Sequence, residues 1–265
     1  MNNLAIEHGD GVILDDHDGV LVVTLDRPPA NSLDGPLIRE IGRLFTELAA
    51  THSPPPIVLT GYGERFFCAG GDIKELDSAH IGAMDSRMAS FHAMLVAIES
   101  YPRPVVAAVN GHCVGGGMEI ALFADAVFAV GGARFGFPEI NHGLLPADKG
   151  IQRTSQLLGM RTARHMLLGG HLFDAGRARE LGIVDELVDP DELLDAAVES
   201  ARAAGRKAAV LYAAIKRSVN NPNSDLDEAS LQRTLIAAAD YYDDPVATGL
   251  RQNWNSDHSR AKAQT

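Results

Sequence analysis

Apolar runs and helical repeats alternate along the first half of the chain. Residues 11–26 hold two segments rich in Val, Leu and Ile around the turn pair Asp18-Gly19, and this pattern predicts a β-hairpin. Apolar positions then recur at helical spacing over 37–48, until the prolines of 53–56 end the helix. The chain therefore begins with two strands followed by a helix.

Continuous apolar runs follow at 57–61, 104–111 and 125–130. Runs that are apolar at every position are typical of parallel strands buried on both faces. A helical segment over 84–99 separates the first two runs, so the order is strand, helix, strand. This order favours a parallel sheet with crossover helices, and hence an α/β fold.

The pattern becomes mainly helical after about residue 150. One short apolar segment, GIVDELV, interrupts the helices. Neither an internal repeat nor an obvious linker divides the chain, so we predict an α/β core over 1–200 that continues into a helical C-terminal region over 201–265. The predicted helices span 151–158, 160–168, 174–181, 190–204, 206–219 and 226–241.

Composition and charge narrow the possible functions. Of 265 residues, 46% are hydrophobic and 22% are charged, which is ordinary for a globular protein and argues against disorder or a coiled coil. The 35 acidic residues outnumber the 23 lysines and arginines and give a net charge of −12. We therefore expect no nucleic-acid partner and no binding to an anionic membrane surface.

Cysteine usage and the N-terminal segment bear on location. Cys68 and Cys113 form neither a disulfide framework nor a metal-ligand pattern. The N-terminal segment lacks the features of a secretory signal, and no apolar run approaches the roughly 20 residues of a membrane-spanning helix. A cytoplasmic protein without a bound metal or a membrane anchor is the expectation.

Two glycine-rich turns, at 69–71 and 115–117, each follow a buried strand and precede a predicted helix. Such turns leave backbone N–H groups unpaired, where they can bind an anion. Neither turn matches the phosphate-binding loop or the dinucleotide fingerprint. Each turn alone is better explained by tight turning and helix–sheet packing. Together, the two could converge on a single oxygen atom and form an oxyanion hole.

Two glutamates lie in apolar surroundings. Glu119 falls in the first turn of its helix between Met118 and Ile120, and Glu139 follows Pro138 in a segment with aromatic residues. A carboxylate in such surroundings is costly unless it is paired or protonated, so both are candidates for a shifted pKa. Taken singly, each is equally well explained as a surface charge or a loop cap. Close together, one would act as an acid and the other as a base.

In this order, the motifs resemble those of the crotonase (enoyl-CoA hydratase/isomerase) superfamily, most closely its enoyl-CoA hydratase branch. The resemblance implies a crotonase-like fold, in which repeated ββα units form a parallel-rich sheet core beside a mainly helical C-terminal part. It also implies an enzyme that adds water across the 2,3-double bond of a 2-enoyl-CoA thioester. The segments that carry it are VTLDRPPANSL, IVLTGYGERFFCAGGDIKEL, PVVAAVNGHCVGGGMEIALFADAVFAV, ARFGFPEINHGLLP and GGHLFDAGRARELGIVDELV.

The resemblance assigns roles to particular residues. It implies that the backbone N–H groups of Ala69 and Gly116 form an oxyanion hole for the thioester carbonyl. Glu119 and Glu139 would hold the added water, so that one takes its proton while the other protonates C2. The backbone N–H of Ala147 would help to place this water.

The resemblance also implies a set of substrate-binding residues. Three of them are cations that could meet the phosphates of coenzyme A, although solvated surface cations explain them nearly as well. Coenzyme A enters as part of the acyl-CoA substrate, so no separate cofactor is expected. The set is Arg27, Arg65, Gly70, Asp72, Ile73 and Lys74.

The chain departs from the hydratases after Pro146, where Asp148 and Lys149 stand in place of small residues. The simpler interpretation is an ion pair at the start of the next helix, with Asp148 as its cap. The alternative is an altered acyl pocket that takes a polar substrate. An enoyl-CoA isomerase is the second functional hypothesis, since many isomerases of the superfamily use only an acid equivalent to Glu139. A non-catalytic assembly partner is the third.

The resemblance further implies a homotrimer, or a hexamer built as a dimer of trimers, assembled through the helical C-terminal region. In 226–241, the residues Leu231, Leu235, Ile236 and Ala239 form an apolar stripe at helical spacing. Such a stripe either packs within the chain or is buried between subunits. Burial between subunits is the prediction, and packing within the chain is the alternative.

Overall fold

The computed structural model describes residues 11–78 and 81–220, together with 231–232, 235–236, 248–249 and 251–253. Within these ranges, side chains from two sheets and from the helices around them pack into one large apolar core. No helix in this part of the chain is both long and apolar enough to cross a membrane.

A six-stranded sheet contains the strands that the hydrophobic pattern predicts. β1 and β2 are antiparallel and joined by the turn at Asp18-Gly19, where both residues have the positive φ of a tight hairpin. All other neighbours in this sheet are parallel, as predicted. In spatial order the strands are β1 (Val12–His17), β2 (Val20–Leu25), β3 (Ile57–Gly61), β5 (Val105–Val109), β7 (Ala126–Val130) and β10 (Glu186–Val188).

A second sheet has four short strands that the pattern alone does not reveal. Three of them directly follow β3, β5 and β7 along the chain, so two strands and a helix repeat as the resemblance implies. Runs of two or three residues are too short to show a period, which is why they look like parts of turns in the sequence. In spatial order they are β4 (Phe66–Cys68), β6 (His112–Val114), β8 (Arg134–Gly136) and β9 (Phe173–Asp174).

Four helices surround the two glycine turns. α1 (Gly35–Ala49) is capped by the side chain of Asp34 and packs against α3 (Ile81–Ser100). α2 (Ile73–Ser78) follows the first glycine turn, and α4 (Gly116–Leu122) begins within the second. The strand–turn–helix order expected at both turns is confirmed.

The second half of the chain is helical, as predicted. Gly159 interrupts α5 with non-helical torsion angles (φ 77°, ψ 152°), at the position where the pattern separates two helices. The apolar segment GIVDELV supplies the edge strand β10. The helices are α5 (Asp148–Gly169), α6 (Ala175–Glu180), α7 (Leu193–Gly205) and α8 (Ala209–Asn220).

Most of the helix predicted over 226–241 lies outside the described residues, and Ala239 is among those not described. Leu231 and Leu235 are half-buried, whereas Ile236 is 61% exposed. For Leu235 the contacts within the chain favour the alternative, packing inside the chain, while burial between subunits stays a prediction. Leu235 packs against a small apolar cluster of Leu76, Met84 and Met88.

Candidate active site

The two glycine turns are in contact. A Cβ placed on Gly70 would lie only 3.1 Å from the backbone nitrogen of Gly116. This contact follows from the parallel pairing of β4 with β6, which sets Cys68 opposite Cys113. Turns that are far apart in sequence therefore meet at one edge of the second sheet.

A cavity of about 360 Å³ opens beside the turns. Its wall is largely apolar, with Leu76, Met88 and Phe91 on one side and Leu144 and Leu145 on another. An apolar cavity with a few polar groups is the usual form of a small-molecule site. The polar side chains that line it are Arg87, His112, Glu119, Glu139 and His142.

Glu119 lies in the first turn of α4 and is 2% exposed. Burial raises the pKa of its carboxyl well above the usual range, and the charge of Glu139 raises it further. The N–H of Ala147 and the charge of Arg87 oppose this rise. Its Oε1 has no hydrogen-bond partner among the described residues. Such a carboxyl can hold a proton at neutral pH and donate it to a bound molecule.

Glu139 is the first residue of a short 3₁₀ helix, Glu139–His142. Burial raises the pKa of its carboxyl to about 7. Its Oε2 is buried and unpartnered in the described part of the chain. Its Oε1 faces Gly115, where an added Cβ would lie 2.6 Å away, so only glycine fits there. The carboxyl group thus reaches the turn from which the helix of Glu119 begins, and the two carboxyls form a candidate acid–base pair.

Gly150, in the first turn of α5, is a site residue that the sequence reasoning missed. Its Cα lies against the carboxylate of Glu119, and any side chain at this position would overlap that group. The same segment directs the N–H of Ala147 toward Glu119. Ala147 therefore lies beside the carboxyl pair. A glycine inside a helix, where it is intrinsically unfavourable, was the signal available in the sequence.

The structure contradicts the role predicted for Ala69. Its N–H donates to the carbonyl of Ala30 at 3.0 Å. This N–H is therefore already used within the fold and is not free to bind a substrate oxygen.

Gly71 provides the free N–H instead. Leu33 donates to the carbonyl of Gly70 and accepts from the N–H of Asp72, so it uses the groups on either side of Gly71. The N–H of Gly71 points away from Leu33, makes no hydrogen bond within the described residues and belongs to a residue that lines the cavity. Gly116 is the first residue of α4, where an N–H has no partner inside the helix. Gly71 and Gly116 are therefore the candidate oxyanion donors.

The cations predicted to meet coenzyme A do not line the cavity. Arg27 pairs with Asp34 at 2.9 Å and with Asp72 at 2.6 Å, and so joins the starts of α1 and α2. Burial opposes ionisation of Asp72, but the hydrogen bond and charge of Arg27 outweigh it and lower the pKa of that carboxyl. Arg65 is exposed and lies 5.2 Å above the ring of Phe66.

The other predicted substrate-binding residues lie around the first turn. Gly70 lines the cavity. Ile73 is half-buried and Lys74 is exposed, both in the first turn of α2. Of the six residues in this set, only Gly70 is part of the cavity wall. Asp72, Ile73 and Lys74 follow the chain away from the turn into α2.

Asp148 and Lys149 do not line the cavity. The cap of α5 is Ala147 and Asp148 is the first helical residue, so the capping prediction is wrong. The Nζ of Lys149 pairs with the Oε2 of Glu99 at 2.7 Å inside the protein. Lys149 therefore forms an ion pair with an acid of α3 rather than the predicted local pair at the start of α5. Neither residue makes the acyl pocket polar.

Residues 15–247 match the enoyl-CoA hydratase/isomerase family. The chain belongs to this family. Among its relatives, a short-chain-enoyl-CoA hydratase of Clostridium acetobutylicum is 34% identical over 224 residues, which are 83% of this chain and 85% of that protein. A carnitinyl-CoA dehydratase of Citrobacter koseri is 36% identical over 200 residues, or 76% of each protein.

A solved structure of an enoyl-CoA hydratase/isomerase from Mycobacterium paratuberculosis superposes with a TM-score of 0.85 at 25% identity, covering 94% of this chain and 100% of the other. The resemblance inferred from the sequence motifs is confirmed, and with it the crotonase-like fold. The enoyl-CoA hydratase/isomerase family is a family of enzymes, and the two named relatives are hydro-lyases.

Proposed function

We propose that the protein is an enoyl-CoA hydratase, which adds water across the 2,3-double bond of a 2-enoyl-CoA thioester. One observation carries the proposal: two carboxyls and two backbone N–H groups lie on the wall of one apolar cavity, and buried oxygens of the carboxyls and both N–H groups lack a partner among the described residues. The first pair suits proton transfer to and from water, and the second suits a developing negative charge on oxygen.

The N–H groups of Gly71 and Gly116 act on the thioester carbonyl. When the water oxygen bonds to C3, the electron pair of the double bond moves toward C2 and the thioester oxygen gains enolate character. Donors that are fixed before the reaction stabilise this charge without reorganisation. Because the turns are in contact, both donors reach the same oxygen atom.

Glu119 and Glu139 carry the protons. The water oxygen adds to C3 while its proton passes to the ionised carboxylate, and the protonated carboxyl delivers a proton to C2. The pair titrates as a unit that holds one proton, because burial and mutual repulsion disfavour the doubly ionised state. The N–H of Ala147 orients the water, and coenzyme A takes part only as the thiol portion of the substrate.

The decisive experiment gives the purified protein crotonyl-CoA and follows the ultraviolet absorbance of the conjugated enoyl thioester. Loss of absorbance with a mass gain of one water is the expected result. An isomerase would instead raise this absorbance from a 3-enoyl-CoA without a change in mass. Absence of turnover with both substrates would contradict catalysis and favour an assembly role.

Proline substitution tests whether Gly71 or Ala69 supplies the oxyanion donor of the first turn, because proline lacks an N–H. Gly71→Pro, like Gly116→Pro, is expected to lower kcat by about 10²–10³-fold in a protein that still binds the thioester. Ala69→Pro instead removes the hydrogen bond to Ala30 and lowers stability. If Ala69→Pro were as stable as the parent and inactive, while Gly71→Pro were active, the original assignment to Ala69 would be restored.

We also propose that the protein forms a homotrimer or a hexamer through its C-terminal helices. In α8, Leu211, Ile215 and Val219 recur at four-residue intervals and are each more than 60% exposed. An apolar face of this kind is usually buried by a partner. Leu211→Asp should therefore lower the mass measured by light scattering, whereas Leu235→Asp, inside the chain, should not. A monomeric parent protein at micromolar concentration would contradict the proposal.

A further inference from the structure

Arg87 places a cation in the apolar wall of the cavity. It lies on α3, is 9% exposed and lines the same cavity as the carboxyl pair. One helical turn further on, Phe91 touches Gly116, because a Cβ on that glycine would lie 3.3 Å from the ring. A guanidinium removed from water is costly unless its N–H groups find acceptors. Arg87 is therefore stable in this wall only as far as acceptors surround its N–H groups.

The fold satisfies only part of this guanidinium, which has five N–H donors. Its Nε donates to the Oε2 of Glu75 at 3.2 Å, and its Nη2 donates to the carbonyl of Leu33 at 2.9 Å. The remaining N–H groups, including both on Nη1, have no acceptor among the described residues. The cavity wall thus offers several donors on one planar group.

The positive charge of Arg87 is only partly neutralised. Its one carboxylate partner in the described part of the chain, Glu75, has a side chain that is 36% exposed and also accepts the N–H of Gly35 at 3.0 Å. Water and a second donor therefore share the charge of Glu75, while Arg87 remains in the low-dielectric cavity. The positive charge of Arg87 also acts on Glu119, where it offsets part of the rise in pKa that burial causes.

The guanidinium lies close to the position of the reacting carbonyl. A Cβ on Gly71 would be 3.2 Å from the Nη2 of Arg87, and Gly71 is one of the two candidate oxyanion donors. The neighbouring wall residues Leu76 and Met88 are apolar and would enclose the carbons of an acyl chain. The far end of a short chain that starts at the oxyanion hole can therefore reach Arg87.

We propose that Arg87 forms a subsite for a carboxylate at the far end of a short acyl chain, so that the preferred substrate is the CoA thioester of an unsaturated dicarboxylic acid. The proposal rests on the proposed hydratase function and names its substrate class. A carboxylate accepts two parallel N–H groups of one guanidinium, which matches the donors left free here. A chain that ends in a quaternary ammonium group has no acceptor and is repelled.

The test uses three enoyl thioesters that differ at the chain end: crotonyl-CoA, 4-carboxybut-2-enoyl-CoA and 4-(trimethylammonio)but-2-enoyl-CoA. The kcat/KM of each is measured for the parent protein, Arg87→Lys and Arg87→Met. In Arg87→Met, the ratio of the carboxylated substrate to crotonyl-CoA should fall about 10–100-fold, the range of a charge-assisted hydrogen bond. The corresponding ratio for the ammonium substrate should rise, and Arg87→Lys should lie between.

Arg43→Met is the matched control, since it removes a half-buried arginine of α1 that pairs with Glu40 and Glu47 outside the cavity. It should leave both ratios unchanged. Thermal unfolding of every variant checks that the fold is retained, and ratios within one variant cancel any general loss of activity. An unchanged carboxylate ratio in folded Arg87→Met would overturn the proposal, as would an equal fall with the neutral 4-hydroxybut-2-enoyl-CoA.

Binding separates this proposal from the proposed reaction. The saturated thioesters glutaryl-CoA and butyryl-CoA differ by the terminal carboxylate and cannot be hydrated. Calorimetry should show that the parent protein prefers glutaryl-CoA and that Arg87→Met does not. If this preference were found without turnover of any enoyl thioester, the subsite would stand and the hydratase function would fail. Equal affinities in the parent protein would overturn the subsite alone.

Discussion

Buried charges occur in two adjoining regions of the molecule, and their surroundings differ. In the cavity, Glu119 and Glu139 each have a buried carboxylate oxygen without a partner in the described chain. In the second region, which we call the paired cluster, each buried or half-buried acid has a lysine at 2.7 Å. The paired cluster consists of Glu99 with Lys149 and Asp125 with Lys216.

The paired cluster connects α8 to the core. Lys216 and Asn220 are the buried residues of α8. The side-chain amide of Asn220 donates to the carbonyl of Glu99 at 3.3 Å, and its oxygen accepts from Arg153 of α5 at 3.1 Å. α8 is thus held to α3 and α5 by polar contacts, which leaves its apolar residues on the outside.

The presence or absence of a partner distinguishes buried charges that stabilise the fold from buried carboxyls that can take part in proton transfer. A buried charge with a good partner contributes to a defined packing, whereas a buried carboxyl without one can take up or release a proton. α5 belongs to both regions, since Lys149 enters the paired cluster and the next residue, Gly150, lies against Glu119. The paired cluster therefore holds in place the segment that shapes the site.

The largest expected effect is on catalysis. Glu119→Gln and Glu139→Gln should each lower kcat for hydration by about 10²–10⁴-fold, because each removes a group that transfers a proton. Both variants should fold, since a neutral amide replaces a carboxyl that burial already disfavours in its charged form. Steady-state kinetics with thermal unfolding checks this. Near-normal turnover in either variant would show that the substituted carboxyl does not transfer a proton in the reaction.

The next effect is on stability. Lys149→Met leaves the carboxylate of Glu99 buried without its hydrogen-bonded cation, although the charges of Arg153 and Lys216 still act on it. The variant should lower the free energy of unfolding by about 3 kcal/mol. The double variant with Glu99→Met should recover much of this loss, because neither charge is then buried. Urea denaturation measures both. If Lys149→Met alone were as stable as the parent, the paired cluster would not contribute to the stability of the fold.

The smallest effect is on the pH dependence of stability. Glu139 has a pKa of about 7 in the fold against an ordinary value of 4.5, so folding is opposed once the unfolded chain ionises this group. The opposition is absent well below 4.5 and complete above about 7. Glu139→Gln should therefore be more stable than the parent at about pH 8, by no more than about 3 kcal/mol.

The comparison at acidic pH is the control for this prediction. Near pH 4 the parent carboxyl is mostly protonated in both states, so the parent and Glu139→Gln should have nearly equal stability. The same titration should limit activity, because hydration needs one ionised carboxylate and falls as pH drops through about 7. A pH-independent difference in stability would show that the carboxyl is not held in an unfavourable ionised state.

The sequence itself determined most of the architecture and pointed to the two candidate acids. Apolar runs in β3, β5 and β7 and glycine turns after the strands are local patterns, so they predict a parallel α/β core without knowledge of contacts. The order of the motifs then gave the family and the pair Glu119 and Glu139. The homo-oligomer and the cytoplasmic location stay predictions.

Tertiary structure decided what depends on partners distant in the chain. Gly70 has a φ of 86°, so the chain turns between Ala69 and Gly71 and strand alternation does not predict where their N–H groups point. Only the contacts with Ala30 and Leu33 show that Ala69 is used and Gly71 is free within the described residues. Likewise, Lys149 is adjacent to Asp148 in sequence but pairs with Glu99, because a helix directs consecutive side chains to different faces. A linear pattern records which groups are present, and packing determines which of them remain free for substrate.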